Sequence, residues 1–130
     1  MRLDHFTIRT TDLDATRDFF TEVIGLTFGD RPPFSFPGYW LYGEGRAIVH
    51  LVAVEPGRSY LQEHGGAGDP GASTGALDHL AFRGNDYAGT LARLVAHGCE
   101  YNDRTVPGRG DRQIFVRGPH GLIVELVLPV

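Results

Sequence analysis

Cysteine is nearly missing from this chain. Cys99 stands alone among 130 residues, so no internal disulfide can form. That usage suits a reducing compartment. Basic runs are missing too. Twelve Lys and Arg stand against sixteen Asp and Glu, a net charge of −4, and without a cationic cluster there is no electrostatic footprint for nucleic acid. No apolar stretch approaches the ~18 residues of a membrane span. The N-terminal segment has no charged-then-apolar layout of a signal peptide, because His5, Arg9, Asp12 and Asp14 interrupt it. These absences exclude nucleic acid and membrane as partners and make the cytoplasm the expected location. What remains is an ordinary globular composition, 42% hydrophobic and 22% charged, at a length that suits one domain.

Within that domain the chain repeats itself. Leu3-Asp4-His5-Phe6-Thr7-Ile8-Arg9 returns as Leu77-Asp78-His79-Leu80-Ala81-Phe82-Arg83, at an offset of 74. Asp12, Ala15 and Thr16 are answered by Asp86, Gly89 and Thr90. Ile48-Val49-His50-Leu51-Val52 becomes Ile123-Val124-Glu125-Leu126-Val127, at an offset of 75. A duplicated unit of this kind predicts two like modules, and the periodicity within each gives their content. In the first, Leu3–Thr10 alternates as a strand, and a helix follows, capped at Thr11 or Asp12 and ended by Gly25. Strands near 26–29, 39–42 and 46–53 complete it. In the second, Leu77–Arg83 is a strand, and Asn85 or Asp86 caps a helix that Gly98 ends. Strands near 99–105, 113–117 and 122–128 follow. The Gly- and Pro-rich stretch between them reads as a flexible connector. The expected organisation is α+β: a βαβββ module over about 1–54, a connector over about 55–76 and a second module over about 77–130.

Strand parity locates the chemistry. A residue shares its face with those two positions away, so His5 goes with Thr7 and Arg9, and His79 with Ala81 and Arg83. His50 and Glu125 each interrupt an apolar strand. A carboxylate in the middle of Leu122–Val127 is costly to bury unless something compensates it, and no cation lies nearby in sequence. If the modules pair about a pseudo-twofold axis, His5, His50, His79 and Glu125 gather near that axis. Three imidazoles and one carboxylate suit a borderline ion such as Fe, Ni, Mn, Co or Zn rather than Ca. His97 at a helix end, His64 in the connector and His120 in a turn read as peripheral.

At this point the sequence resembles the vicinal oxygen chelate superfamily, which includes glyoxalase I, methylmalonyl-CoA epimerase, fosfomycin-resistance proteins, bleomycin-binding proteins and extradiol dioxygenases. The resemblance runs from the segment that opens with Asp4-His5-Phe6, through Leu77–Phe82, to Gly118–Leu126, which is similar to the family's Asp-Pro-Asp-Gly ending. It implies two βαβββ modules pairing into a cup-shaped mixed β-sheet, with metal ligands on the first and fourth strands of each module. Those positions are His5, His50, His79 and Glu125. It also implies a homodimer. The sequence departs from the family's pattern at His50, where glyoxalase I has Glu, and at Phe115, where extradiol dioxygenases place a Tyr ten residues before the Glu.

The leading expectation is therefore a divalent-metal-dependent lyase or isomerase of the glyoxalase type. It would act on a small oxygenated substrate through a metal-bound enediolate, with His50 and Glu125 as catalytic groups and His50 serving as ligand or base. Arg9, Trp40, Gln113 and Phe115 are the candidate substrate-binding residues. Two alternatives stand beside it. One is a non-haem Fe(II) extradiol-type dioxygenase using His5, His79 and Glu125. The other is a metal-free protein that binds or sequesters a small molecule such as an antibiotic in an aromatic groove around Phe34, Phe36 and Trp40.

Overall fold

The computed structural model describes residues 1–54 and 73–129, and these belong to two compact units that divide the chain near residue 70. The connector of residues 55–72, including His64, lies outside the described residues.

In the first unit, β1 spans Phe6–Thr10, β2 Thr27–Gly29, β3 Gly38–Gly43 and β4 Arg46–Ala53. Helix α1, Leu13–Asp18, runs directly into a wider π-helical segment, Phe19–Ile24. The strands lie in the order β1-β4-β3-β2, with β1 parallel to β4 and the other pairs antiparallel. The cap residues act as their chemistry dictates. Asp12 accepts the Ala15 backbone N–H at 3.0 Å, and Gly25 closes the helical segment at a φ of 95°. Alternation sends Ile8, Val49, Leu51 and Leu41 into the core beneath Phe20, Val23 and Ile24. Two fully buried hydroxyls, Thr10 on β1 and Thr16 on α1, satisfy one another at 2.8 Å and so join strand to helix.

The second unit repeats the order. Strands β5 (Leu80–Arg83), β6 (Tyr101–Thr105), β7 (Arg112–Arg117) and β8 (Ile123–Leu128) surround helix α2, Tyr87–Ala96. The sheet order is β5-β8-β7-β6, again with one parallel pair, β5 with β8. Asp86 caps α2 by accepting the Gly89 N–H at 2.9 Å, and Gly98 ends it at a φ of 61°. Leu80, Leu94, Ile114, Val116, Val124 and Leu126 form the core. Both units thus carry the βαβββ order expected of the duplication. Among the described residues, no helix is long and apolar enough to cross a membrane.

The expected boundaries shift in a consistent way. The strands anticipated from Leu3 and Leu77 begin only at Phe6 and Leu80, since Leu3 and Leu77 are exposed and no burial enforces extension there. His5 and His79 consequently stand just ahead of their strands. The strand anticipated from Cys99 begins at Tyr101, because the Cys99 N–H bonds to the Leu94 carbonyl and belongs to the end of α2.

Candidate functional site

The face of each sheet that turns away from its helix carries the ligand-type residues. In the first unit, His50 on β4 lies in the ladder between Thr7 of β1 and Trp40 of β3. Its ring stacks on Trp40 at 4.0 Å and 8°, and on His5 at 3.8 Å and 16°, giving the order Trp40-His50-His5. Nε2 of His50 donates to the Ala47 carbonyl at 3.1 Å, which leaves Nδ1 as its remaining nitrogen. Burial, reinforced by the nearby His5, pushes the His50 pKa below that of an ordinary imidazole. His5 is oriented differently: its Nδ1 is 2.6 Å from Asp4 Oδ2, so Nε2 is its outward nitrogen. A cavity of about 320 Å³ opens beside this stack, with Arg31, Phe34 and Phe36 on its walls. Arg9 lies further along β1, half-buried, opposite Val52 in the ladder.

In the second unit, Glu125 of β8 is only 6% exposed, and both of its oxygens are engaged. Oε2 lies 2.8 Å from His79 Nε2, and Oε1 accepts from Gln113 Nε2 at 2.6 Å. Gln113 in turn accepts from Arg104 Nε at 2.9 Å. The Arg104 guanidinium covers the Phe115 ring at 5.1 Å, and that ring meets His79 edge-on at 5.7 Å and 88°. On its far side, His79 Nδ1 is 2.7 Å from Asp78 Oδ2. The hydrogen bond to Asp78, aided by Glu125, raises the His79 pKa. The charge of Glu125 therefore has partners inside its own module, though none is near in sequence. The chain around it runs Arg104 to Gln113 to Glu125 to His79 to Asp78.

Each module thus joins an Asp-held histidine to the residue of its fourth strand: His5 to His50 by stacking, and His79 to Glu125 by a polar contact. Of the substrate-binding candidates, Trp40 lies with the first pair, and Gln113 and Phe115 with the second. Among the described residues, no three His, Cys, Asp or Glu side chains stand together as a metal-holding group. Arg83 makes an ion pair with Asp111 at 3.5 Å. His97 closes the C-terminal end of α2, and His120 sits in the turn before β8 at a φ of 57°.

Four residues here escaped the sequence reading: Asp4, Asp78, Arg31 and Arg104. The repeated Leu-Asp-His tripeptide carried the signal for the two aspartates. A carboxylate that accepts from Nδ1 holds the proton there and, in the neutral ring, leaves the lone pair on Nε2, an arrangement common behind metal-bound imidazoles. Arg31 and Arg104 had no such signal, because their partners lie across strands or in a turn.

The family model described as the Glyoxalase/Bleomycin resistance protein/Dioxygenase superfamily matches residues 2–126. Over 127 residues the chain is 25% identical to Glyoxylase I 4 of Arabidopsis thaliana, covering 95% of this chain and 68% of that protein. Among solved structures, it is similar to a glyoxylase/bleomycin resistance protein/dioxygenase domain from Frankia sp. EAN1pec. That likeness has a TM-score of 0.73 and 16% identity, and covers 100% of this chain and 98% of the other. It is also similar to TnmS3, an antibiotic binding protein from Streptomyces sp. CB03234, with a TM-score of 0.67 and 22% identity over 100% and 97% of the two chains. With two like modules in its fold and a family match over nearly all of its length, the chain belongs to the glyoxalase/bleomycin resistance protein/dioxygenase superfamily.

Proposed function

We propose that this protein is a divalent-metal-dependent lyase or isomerase that moves a proton next to a carbonyl of a small oxygenated substrate. The observation that carries this reading is the His79–Glu125 pair, with donor atoms 2.8 Å apart and each side chain braced from behind, by Asp78 and by Gln113. One imidazole nitrogen and one carboxylate oxygen, already convergent, fit a borderline transition ion of the Fe, Ni, Mn, Co or Zn type. Such an ion, when bound, would act as a Lewis acid toward the substrate oxygens. His79, Glu125 and His5 are the ligands we assign, the last because it shares the Asp-held tautomer of His79.

His50 is the base in this reading. Burial keeps its ring neutral near pH 7, its Nε2 is engaged with Ala47, and the stack on Trp40 limits its rotation. Its Nδ1 is then the atom that would accept the proton. With the rings of His5 and His50 stacked in nearly parallel planes, their in-plane lone pairs do not converge on one centre, which favours a base over a fourth ligand at His50. Glu125 would share the proton work, since its carboxylate is poised against an imidazole. Trp40, Gln113 and Phe115 are the residues we assign to orienting the substrate, with Arg9 assigned to an anionic group. We assign the protein a homodimeric state on the family's pattern.

A second reading is favoured by one observation. Glu125 is already satisfied by His79 and Gln113, so a metal-free protein that binds its ligand among the aromatic residues is also consistent with this geometry. Elemental analysis of untagged protein decides between them. The metal reading expects a stoichiometric divalent ion, lost by at least about tenfold in affinity in His79→Ala and Glu125→Ala. Unchanged metal content in both variants would overturn the assignment, and no ion above background would transfer it to the binding reading. Oxygen uptake with catechols after Fe(II) loading would instead indicate the dioxygenase.

A further inference from the structure

The cavity of the first module contains a cation that none of the chemistry above uses. Arg31 follows β2, half-buried, with its guanidinium over the rings of Phe34 at 5.4 Å and Phe36 at 5.1 Å. Nη1 donates to the Gly38 carbonyl at 2.6 Å and Nη2 to the Phe36 carbonyl at 2.8 Å. A guanidinium has five N–H donors, so three remain after these two bonds. Among the described residues, no carboxylate is paired with it, whereas Arg83, Arg104 and Arg112 each have an acidic or amide partner. Those donors are of the kind that take a carboxylate in charge-assisted hydrogen bonds.

The rest of the cavity is flat and aromatic. The Trp40-His50-His5 stack forms one side, and Phe34, stacked on Phe36 at 5.2 Å, forms another. The cavity of about 320 Å³ is at the small end of the range for ligand sites. Asp4 is the one acidic side chain on its walls, and its carboxylate is occupied by His5 Nδ1.

From this we infer that the cavity beside Trp40 takes a small planar anion, an aromatic carboxylate or phenolate, with its ring against the aromatic walls and its charge on Arg31. The inference deepens the small-molecule reading of this site and rests on that reading, but it does not depend on the ion. Two backbone carbonyls and two aromatic rings keep the guanidinium in place before a ligand arrives, so little side-chain entropy remains to be lost on binding. Recognition then comes from flat surface and one charge. A neutral amide of the same shape would lose the charge, and a puckered ring would lose the stacking.

Trp40 is the only tryptophan in the sequence, so its emission reports directly on this cavity. The experiment titrates untagged protein with 2-naphthoate, 2-naphthamide and cyclohexanecarboxylate, before and after chelator treatment. Saturable quenching by 2-naphthoate is expected in both preparations, with the amide and the cyclohexane acid each weaker by about tenfold or more, the scale of one charge-assisted hydrogen bond. Arg31→Met should remove the preference for naphthoate over naphthamide. Because that variant also releases the Phe36 and Gly38 carbonyls, its fold is checked by circular dichroism, and the three-ligand comparison on the unaltered protein stands without it. Equal binding of all three ligands, or an undiminished naphthoate preference in folded Arg31→Met, would overturn the inference. Naphthoate binding that disappears with the ion would also overturn it, while leaving the metal reading intact. Arg31-dependent binding to a protein that holds no metal would do the reverse.

Discussion

At the scale of single residues, the second module works through directed hydrogen bonds and the first through stacking. That difference fixes the sign of their pH responses in metal-free protein. The His79 pKa is raised above its ordinary 6.5 by the Asp78 hydrogen bond and by Glu125, so its stabilising contribution is complete below 6.5 and is lost as pH rises through the shifted value. The His50 pKa is lowered by burial, so its contribution is complete above 6.5 and is lost as pH falls through its own shifted value. Stability should therefore decline on both sides of a maximum near this range. Asp78→Asn is expected to bring the His79 titration down toward 6.5 with His50 unchanged, as followed by the imidazole proton resonances. It should also weaken metal binding about 10- to 100-fold, since the braced tautomer is lost. A His79 titration that does not move would sink the bracing role of Asp78.

At the scale of elements, comparing the two modules turns the repeat into an internal control. Position N3 of each helix meets the capping aspartate, with Ala15 in α1 and Gly89 in α2. A methyl group built on Gly89 would collide with the Asp86 carboxylate, yet Ala15 carries that methyl and its cap is intact. The Asp86 side chain needs only to turn. Gly89→Ala should then gain up to about 1 kcal/mol from helix propensity, read as a higher urea midpoint. A lower midpoint would show that the two caps are not equivalent. Gly38 on β3 presents the opposite case. A Cβ there would stand 2.9 Å from Arg31 Nη1 and run into the Leu51 backbone oxygen of β4, which cannot yield without moving the strand pair. Gly38→Ala is expected to cost about 1–3 kcal/mol by overpacking, measured by the same denaturation.

At the scale of the whole molecule, the proposed function makes stability and assembly measurable together. A ligand bound only by the folded state raises the midpoint by mass action. Chelation should lower the thermal midpoint of the untagged protein and re-addition of Ni(II) or Zn(II) restore it, while Glu125→Ala should respond to neither treatment. A chelator-insensitive midpoint would count against a resident ion. Sedimentation velocity should give a mass about twice the 14.3 kDa of the chain, and a monomer at micromolar concentration would sink the homodimer proposal. Both measurements use the intact protein and need no substrate.

The sequence by itself determined the two-module plan, the αL stops at Gly25 and Gly98, the helix caps to within two adjacent residues each, of which the structure uses Asp12 and Asp86, and His50 and Glu125 as the polar interruptions of two apolar strands. These are local matters, set by backbone sterics, capping hydrogen bonds and the period of two, all readable within a few residues. Only the tertiary structure decided which side chains meet. Glu125 finds its partners on β7 and ahead of β5, twelve and forty-six positions away, because a parallel and an antiparallel ladder bring those strands to either side of β8. Likewise, Arg31 faces Phe36 and Gly38 only once β2 and β3 have paired. Ladder partners and rotamers depend on segments distant in the chain, which no local period encodes.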